Sequence, residues 1–309
     1  MKKKQKMLVP LDGSDRAMNT VKYITRIEPF LNANIVLFHV FSSVPEGFWD
    51  LESDPRSTAT VKQVHAWEIQ YRKNMQDYME SARQLLLNAG ADAAAVKVKI
   101  QNRKTGFARD IIRESQNGYD ALITRRRGMT GLRGIVLGSV ATKLVEKLSF
   151  LPLILAGRKP PGNKILLTFD GSEGCWRSVD FVGITMGGFD FEVKLINVIR
   201  GKENSHPEIQ RLYAPADYTE STRKQMTAQL AAAEKKLVDS GFAPDQISTE
   251  LVSGVASRAE AIVAAAEAQN YGTIVMGRRG HSRVRDFFIG RVTNKVIHLA
   301  RDRTVWVVR

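Results

Sequence analysis

The sequence contains a single cysteine, Cys175, and no stretch approaches the roughly 18 consecutive apolar residues of a membrane-spanning helix. One cysteine cannot form a disulfide within the chain, so a disulfide scaffold is excluded and a reducing compartment is favoured. The lysine-rich start is not followed by an apolar core typical of a signal peptide. We therefore expect a cytoplasmic protein without a membrane span.

Several functional motifs are also absent. The five histidines show no metal-ligand spacing, and His39, in an apolar run, is interpreted as a satisfied core residue. Neither the phosphate loop Gly-x4-Gly-Lys-(Ser/Thr) nor the pattern Gly-x-Gly-x-x-Gly after the first strand occurs. These absences argue against a motor-type NTPase and a dinucleotide oxidoreductase. No nucleophile, base and orienting residue form a recognisable set, so the sequence does not predict an enzyme.

Composition is that of a globular protein with excess positive charge. Hydrophobic residues make up 43% and charged residues 25% of 309 residues, which favours two ordinary domains. The net charge is +14, of which about +11 precedes Pro160 and about +3 follows it. Such a charge favours polyanions such as nucleotides, nucleic acid or acidic lipid surfaces. A solvated basic surface is the alternative for any single cluster.

The chain contains an internal repeat. Met7–Arg16 and Ile165–Gly174 are both short apolar runs that end in Asp-Gly-Ser, which aligns Asp12 with Asp170. Five correspondences in one order indicate a duplicated domain. The further matches are Ile35–Val40 with Val193–Ile199, Tyr119–Thr124 with Tyr271–Met276, Gly128 and Gly138 with Gly280 and Gly290, and Leu151–Ala156 with Thr304–Val308.

The segment Gly157–Asn163 separates the two copies and contains two adjacent prolines. Adjacent prolines with flanking glycines cannot continue a strand or a helix, so the segment is interpreted as a linker. The sequence thus predicts a first domain over 1–158, a linker over 159–163 and a second domain over 164–309.

Short apolar runs alternate with longer segments of helical periodicity in each copy. This alternation predicts right-handed crossovers and, in each half, a five-stranded, mainly parallel α/β sandwich. Ser42–Ala59, which has several polar residues plus Pro45, Gly47 and Pro55, is expected to be a mobile excursion near the first site. The predicted helices are Thr60–Asn88, Ala108–Gln116, Val140–Leu148, Tyr218–Asp239, Arg258–Gln269 and Val292–Ala300, and the third strands are Val96–Gln101 and Ile247–Val252.

The carboxyl ends of the first strands are the expected ligand position, because open parallel sheets bind ligands where strand order reverses. Asp12 and Asp170 follow these strands, and a carboxylate there can accept hydrogen bonds from ribose hydroxyls. The alternative is that each aspartate caps the following helix.

A repeated glycine pattern follows the fourth strand of each half. Gly138 and Gly290 precede predicted helices, whose free N–H groups and positive dipole end favour a phosphate. Ser139 is both a good N-cap residue and a phosphate-binding hydroxyl. Loop glycines often serve turns alone, but two copies at the same place in a repeat favour a binding role.

The whole pattern resembles the universal stress protein family in its tandem two-domain form. The resemblance covers nearly the whole chain and rests on the Asp-Gly-Ser turns, the repeated element order and the family pattern Gly-x2-Gly-x9-Gly-(Ser/Thr). It implies an adenine-nucleotide alpha hydrolase-like, Rossmann-like fold in each half. It also implies that Leu151–Ala156 and Thr304–Val308 pair the halves as a pseudo-dimer.

The resemblance further implies ATP, alone or with Mg²⁺, as the cofactor. In ATP-binding members the first-strand aspartate binds ribose, the end of the second strand lies beside adenine, and the glycine loop and its hydroxyl residue hold the phosphates. The residues implied in the first half are Pro10, Asp12, Val40, Gly128, Gly138, Ser139 and Val140. Those implied in the second half are Asp170, Val198, Met276, Gly277, Gly280, Gly290, Arg291 and Val292.

Each half departs from the family pattern at one position. Arg125 replaces the leading glycine of the first half, and its side chain either fills the phosphate space or contacts a phosphate. Arg291 replaces the hydroxyl residue of the second half, although arginine also binds phosphate. We expect nucleotide binding in at least one half, with a preference for the second, whose three glycines are intact.

The loops are rich in arginine, which predicts an electropositive rim that attracts phosphates. The alternative is that these side chains face solvent or pair with carboxylates such as Asp286. Cys175 follows the second Asp-Gly-Ser turn without an evident basic partner, so a reactive thiol is not favoured. The rim arginines are Arg125, Arg126, Arg127 and Arg133 in the first half and Arg278, Arg279, Arg283 and Arg285 in the second.

The resemblance supplies the expected role, a stress-response protein in which ATP changes the binding of an unidentified protein partner. Further self-association as a homodimer is an additional expectation. A non-nucleotide interaction scaffold with degenerate pockets is the main alternative, and a weak ATPase is another. Direct nucleic-acid binding is disfavoured because the sequence has no recognised motif or aromatic stacking platform.

Overall fold

The computed structural model describes residues 4–42, 58–126, 137–200, 216–280 and 289–309. Within these ranges the first half contains strands β1 (Lys6–Pro10), β2 (Asn34–Phe41), β3 (Val96–Asn102), β4 (Ala121–Arg125) and β5 (Leu153–Ala156). Its helices are α1 (Asp15–Ile24), α2 (Glu28–Leu31), α3 (Thr58–Asn88), α4 (Phe107–Ser115) and α5 (Ser139–Lys147).

The second half repeats this order. Its strands are β6 (Lys164–Thr168), β7 (Glu192–Arg200), β8 (Ile247–Val255), β9 (Thr273–Gly277) and β10 (Thr304–Val308). Its helices are α6 (Glu173–Met186), α7 (Ala216–Asp239), α8 (Arg258–Ala268) and α9 (Arg291–Leu299).

All ten strands form one continuous sheet in the order β3-β2-β1-β4-β5-β10-β9-β6-β7-β8. Strands within each half are parallel, and the two halves meet where β5 pairs with β10 in antiparallel register, Ile154 opposite Trp306. The predicted pairing of the halves as a pseudo-dimer is therefore confirmed, as is the mainly parallel five-stranded sandwich of each half. The domain bounds 1–158 and 164–309 stay a prediction.

Two apolar layers cover the sheet, which explains why its strands are apolar on both faces. One layer packs under α1, α3, α6 and α7, and the other under α4, α5, α8 and α9. The junction between the halves is filled by Trp306, whose ring contacts Phe30 from the first half and Phe181 from the second. Its indole N–H donates a hydrogen bond of 3.3 Å to Tyr23 Oη.

Most predicted elements are observed with ends shifted by one to three residues. The predicted end of the Ser42–Ala59 segment is wrong, because α3 already begins at Thr58. Residues 43–57 of this segment lie outside the described residues. The strand predicted to start at Leu151 starts at Leu153, after a proline that has no N–H group for the sheet. Among the described helices, none is long and apolar enough to cross a membrane.

Candidate functional site

The two Asp-Gly-Ser turns lie at the carboxyl ends of β1 and β6, beside β4 and β9, where the strand order reverses. Asp12 Oδ1 accepts hydrogen bonds from Ser14 N at 3.1 Å and from Ser14 Oγ at 2.6 Å. Asp170 Oδ1 accepts a hydrogen bond from Ser172 N at 3.0 Å. Both carboxylates are partly exposed, so the turn holds them at the edge where a ligand is expected.

Serine, and not aspartate, occupies the N-cap position of the helix after each turn. Ser14 Oγ accepts a hydrogen bond of 3.1 Å from Ala17 N at the start of α1, and Ser172 is the N-cap residue of α6. The alternative that Asp12 and Asp170 cap these helices is therefore wrong. Each carboxylate instead organises the backbone of its own turn.

Cys175 distinguishes the second turn from the first, where Ala17 takes its place. The Cys175 thiol donates a hydrogen bond of 2.6 Å to Asp170 Oδ1 and accepts one of 3.1 Å from Asp170 N. Burial, together with the neighbouring carboxylate, raises the pKa of this thiol to about 12. The thiol therefore stays protonated at neutral pH. Its S–H group is the hydrogen-bond donor that orients the Asp170 carboxylate.

Glycines bring the loop after β9 against the start of α6. A Cβ atom on Gly277 would lie 2.8 Å from the carbonyl carbon of Gly174, and a Cβ atom on Gly174 would lie 2.7 Å from Arg279 O. A Cβ atom on Gly280 would collide with Asp170 Oδ2. The structure thus brings the Asp170 carboxylate and Gly280 together, whereas Gly277 packs against the start of α6.

The first half has arginine at both positions of the contact between Gly277 and Gly174. Arg125 corresponds to Gly277, and Arg16 corresponds to Gly174. Arg125 is partly buried at the end of β4, and this burial lowers the pKa of its guanidinium. The two changes occur together, so a close backbone contact in one half is replaced by two long cationic side chains in the other. Gly128 lies outside the described residues.

The helices after the glycine loops begin with glycine in the N-cap position. Gly138 precedes α5, Gly290 precedes α9, and no side chain caps either helix. The prediction that Ser139 is an N-cap residue is therefore wrong, since Ser139 is the first residue of α5 and is exposed. Arg291 is exposed at the same position of α9. Both helices thus start one residue earlier than predicted.

The other predicted residues lie at strand ends or pack in the apolar layer beside this edge. Pro10 ends β1 and is half-buried. The Val198 carbonyl oxygen already accepts a hydrogen bond of 3.2 Å from Arg258 Nε. The side chains that lie in the apolar layer under α4, α5, α8 and α9, or pack against it, are those of Val40, Val198, Met276, Val140 and Val292.

A polar residue on the second strand of each half fixes the backbone just before the site aspartate. His39 Nδ1 lies 2.8 Å from Leu11 O, and Asn197 Nδ2 donates a hydrogen bond of 2.7 Å to Phe169 O. Burial lowers the pKa of His39, which favours a neutral ring with Nδ1–H as donor. Both are buried, but within the described residues His39 Nε2 and Asn197 Oδ1 have no hydrogen-bond partner. The interpretation of His39 as satisfied is thus wrong for one nitrogen, and Asn197 was missed although the repeat aligns the two.

Two of the predicted rim arginines are buried between the halves. Arg126 donates hydrogen bonds to the carbonyl of Ile297 at the end of α9 and, at 2.9 Å, to that of Arg303. Arg278 donates to the carbonyl oxygens of Leu148 at 3.0 Å and Val145 at 2.8 Å, at the end of α5. For these two residues both the phosphate rim and the solvent-facing alternative are wrong.

The remaining rim arginines differ in position. Arg125 is partly buried and Arg279 is exposed. In the part of the chain that the structure describes, no group of histidine, cysteine, aspartate or glutamate side chains could hold a metal ion. The residues of the predicted rim outside the described ranges are Arg127, Arg133, Arg283, Arg285 and Asp286.

Comparison with known proteins agrees with the repeated architecture. The profile of the Universal stress protein family matches the chain twice, over residues 4–152 and 162–309. The chain belongs to this family. A family relative from Synechocystis sp., Universal stress protein Slr1230, is 25% identical over 305 residues, which cover 94% of this chain and 95% of the relative.

Solved structures of similar fold span almost the entire chain. A universal stress protein from Archaeoglobus fulgidus DSM 4304 superposes with a TM-score of 0.64 at 19% identity and covers 98% of both chains. A functionally unknown protein from Pseudomonas aeruginosa PAO1 gives a TM-score of 0.56 at 15% identity, covering 99% of this chain and 93% of the other. At these identities the likeness establishes the fold.

Proposed function

We propose that this universal stress protein binds ATP or a related adenine nucleotide in at least one half. The nucleotide stabilises one conformation of the chain and thereby changes its binding to a protein partner in the cytoplasm. The protein acts as a regulator, with slow hydrolysis at most. The stress role follows from the family, and the nucleotide from the chemistry of the edge at which the strand order reverses.

The observation that carries this proposal is the contact between Asp170 and Gly280 in the second half. It places a carboxylate, a group that can accept hydrogen bonds from ribose hydroxyls, directly against the main chain of Gly280, where no side chain intervenes. The first turn of α9 follows this loop without a side-chain cap, so its N–H groups suit a phosphate. These donors and acceptors fit an adenine nucleotide, and Asp170, Gly280, Gly290 and Arg291 are the residues that we expect to hold it.

A scaffold without nucleotide is the second candidate, and one contact favours it. The Val198 carbonyl, which the family resemblance places beside adenine, is already bonded to Arg258 Nε at 3.2 Å. A nucleotide in the second half must accept this neighbour or displace it. In a scaffold, the pockets stay unused and the partner binds to the surface.

Native mass spectrometry of freshly purified protein, followed by titration with ATP and Mg²⁺, tests the proposal. We expect a co-purified or titratable nucleotide, and its stoichiometry counts the working halves. Gly280→Glu places a carboxylate against Asp170 and should remove binding in the second half, whereas Gly128→Glu probes the first half. Ala264→Glu, at an exposed position of α8, is the matched control and should bind like the wild type.

Two results contradict the proposal. One is the absence of bound nucleotide at millimolar ATP, which supports the scaffold. The other is unchanged binding in a chain carrying both Gly280→Glu and Gly128→Glu, which places the ligand elsewhere. Phosphate release that Asp170→Ala abolishes would instead establish the weak ATPase.

A further inference from the structure

A cleft of about 250 Å³ lies between the first turns of α4 and α5 in the first half. Two cationic side chains, Arg109 and Lys143, line it from opposite helices. Within the described ranges, neither of them forms a hydrogen bond or an ion pair with another side chain. The lining residues are Thr105, Gly106, Phe107, Ala108, Arg109, Ser139, Val140 and Lys143.

The second half shows what these positions hold when the protein supplies its own anion. Glu260 is the third residue of α8, as Arg109 is of α4, and Lys295 is the fifth residue of α9, as Lys143 is of α5. Lys295 Nζ forms an ion pair of 2.7 Å with Glu260 Oε1 and donates a hydrogen bond of 3.2 Å to Ser257 Oγ. A carboxylate thus bridges the two helices there.

The first half has lost both of these acceptors. Arg109 replaces the carboxylate of Glu260, and Gly106 replaces the hydroxyl of Ser257 in the N-cap position. The lysine is retained as Lys143, now opposite a second cation. Two positive charges thus face each other across the cleft of the first half, where the second half has an ion pair. An external anion between them takes the place of the missing carboxylate.

The loop that forms one wall of the cleft is fixed by hydrogen bonds to a buried carboxylate. Asp110 is fully buried, and its carboxylate accepts hydrogen bonds from Lys104 N at 2.8 Å, Thr105 Oγ1 at 2.8 Å and Gly106 N at 3.3 Å. Gly106 has φ of +137°, a conformation that side chains rarely adopt. The loop before α4 is therefore fixed before any ligand arrives, and no side chain caps the first turn of α4 or α5.

We propose that this cleft binds the phosphate group of a small phosphate-bearing ligand, with Arg109 and Lys143 as the cationic partners. N–H groups in the first turns of α4 and α5 donate further hydrogen bonds to the same oxygens. The cleft is smaller than the roughly 300–1,000 Å³ of sites for drug-sized ligands, so it suits inorganic polyphosphate or the phosphate end of a nucleotide. The inference rests in part on the proposed function, because Ser139 and Val140 also belong to the nucleotide site expected in the first half, and it extends that function to a phosphate compound that contains no adenine.

Calorimetric titration of the full chain at low ionic strength, with inorganic tripolyphosphate in one arm and ATP in the other, tests the proposal. Arg109→Glu places a carboxylate opposite Lys143, as in the second half. Because this carboxylate takes the place of the external anion, we expect tripolyphosphate affinity to fall by at least roughly tenfold while the fold is kept. Glu260→Arg is the reciprocal change and should add a second equivalent of tripolyphosphate. Lys97→Glu, an exposed position on β3 with the same change of charge, is the control and should bind like the wild type.

The two arms separate this proposal from the proposed function. Tripolyphosphate binding that Arg109→Glu removes, in a chain that does not bind ATP, supports the cleft and contradicts the nucleotide proposal. If Arg109→Glu removes tripolyphosphate binding and spares ATP binding, the cleft stands as a separate anion site. Loss of both in Arg109→Glu assigns the cleft to the phosphate end of the nucleotide. Wild-type affinity for tripolyphosphate in Arg109→Glu, or no binding to the wild type at millimolar concentration, overturns the proposal.

Discussion

Arg126 and Arg278 occupy matching positions in the two halves, and each binds the final turn of the last helix in the opposite half. The last carbonyl groups of a helix have no partner within the helix and carry partial negative charge, so a guanidinium suits them. Burial lowers the pKa of both guanidinium groups to about 10, which leaves them charged at pH 7. Because each arginine directly follows a fourth strand, each glycine loop begins at a contact with the other half.

Replacing Arg278 by methionine should destabilise the protein. The change leaves the carbonyl groups at the end of α5 without donors, and we expect the free energy of unfolding to fall by about 2–4 kcal/mol. Urea denaturation at pH 7 measures this loss. Arg279→Met, at the exposed neighbouring position, should stay within about 0.5 kcal/mol. A wild-type midpoint for Arg278→Met would show that the contact between the halves contributes no stability.

The Cys175 thiol should be unreactive in the folded protein. It is buried, bonded to Asp170 and has its pKa raised to about 12, so almost no thiolate exists at about pH 8. We expect negligible reaction with a thiol reagent over minutes in buffer and complete reaction in urea, followed by absorbance. Since the folded pKa exceeds the unfolded one, this group should also lower stability as pH rises from about 9 towards about 12. Rapid labelling of the native chain would contradict the described hydrogen bond.

Asp110→Asn should weaken the loop before α4 in a pH-dependent way. Burial alone would raise the pKa of Asp110, but hydrogen bonds from Lys104, Thr105 and Gly106 outweigh it and lower that pKa. The carboxylate therefore contributes stability above its unfolded pKa of about 4 and loses it as pH falls through its lower folded pKa. We expect a loss of about 1–3 kcal/mol at pH 7 that shrinks at about pH 3, measured by urea denaturation. Asp77→Asn, on the exposed side of α3, should change stability little at either pH.

Gly277→Ala should cost about 1–3 kcal/mol of unfolding free energy, because the new Cβ would lie 2.8 Å from the backbone of Gly174. Thermal unfolding measures the effect. Arg125→Ala at the matched position of the first half creates no such clash and should cost less. A wild-type unfolding temperature for Gly277→Ala would mean that the close contact with α6 is unimportant.

The fold was largely predictable from sequence because each pattern that indicates a strand, a turn or a helix occurs in both halves. The strand and helix order, the parallel sheets and the pairing of Thr304–Val308 with the end of the first half all followed from local patterns and the family resemblance. The buried arginines were not predictable, since their partners are main-chain carbonyls about 130 to 180 residues away that carry no sequence signal. The role of Cys175 escaped for a similar reason, because only the turn geometry brings its sulfur to Asp170.

The antiparallel junction of β5 and β10 joins two related halves within one polypeptide. In a dimer of identical chains, every substitution appears in both subunits, and the two pockets must stay alike. Here each half has its own sequence, so Arg109 and Glu260 can hold opposite charges at the same structural position. One gene can therefore alter the two halves independently, and a substitution at a position in one half leaves the matching position of the other unchanged.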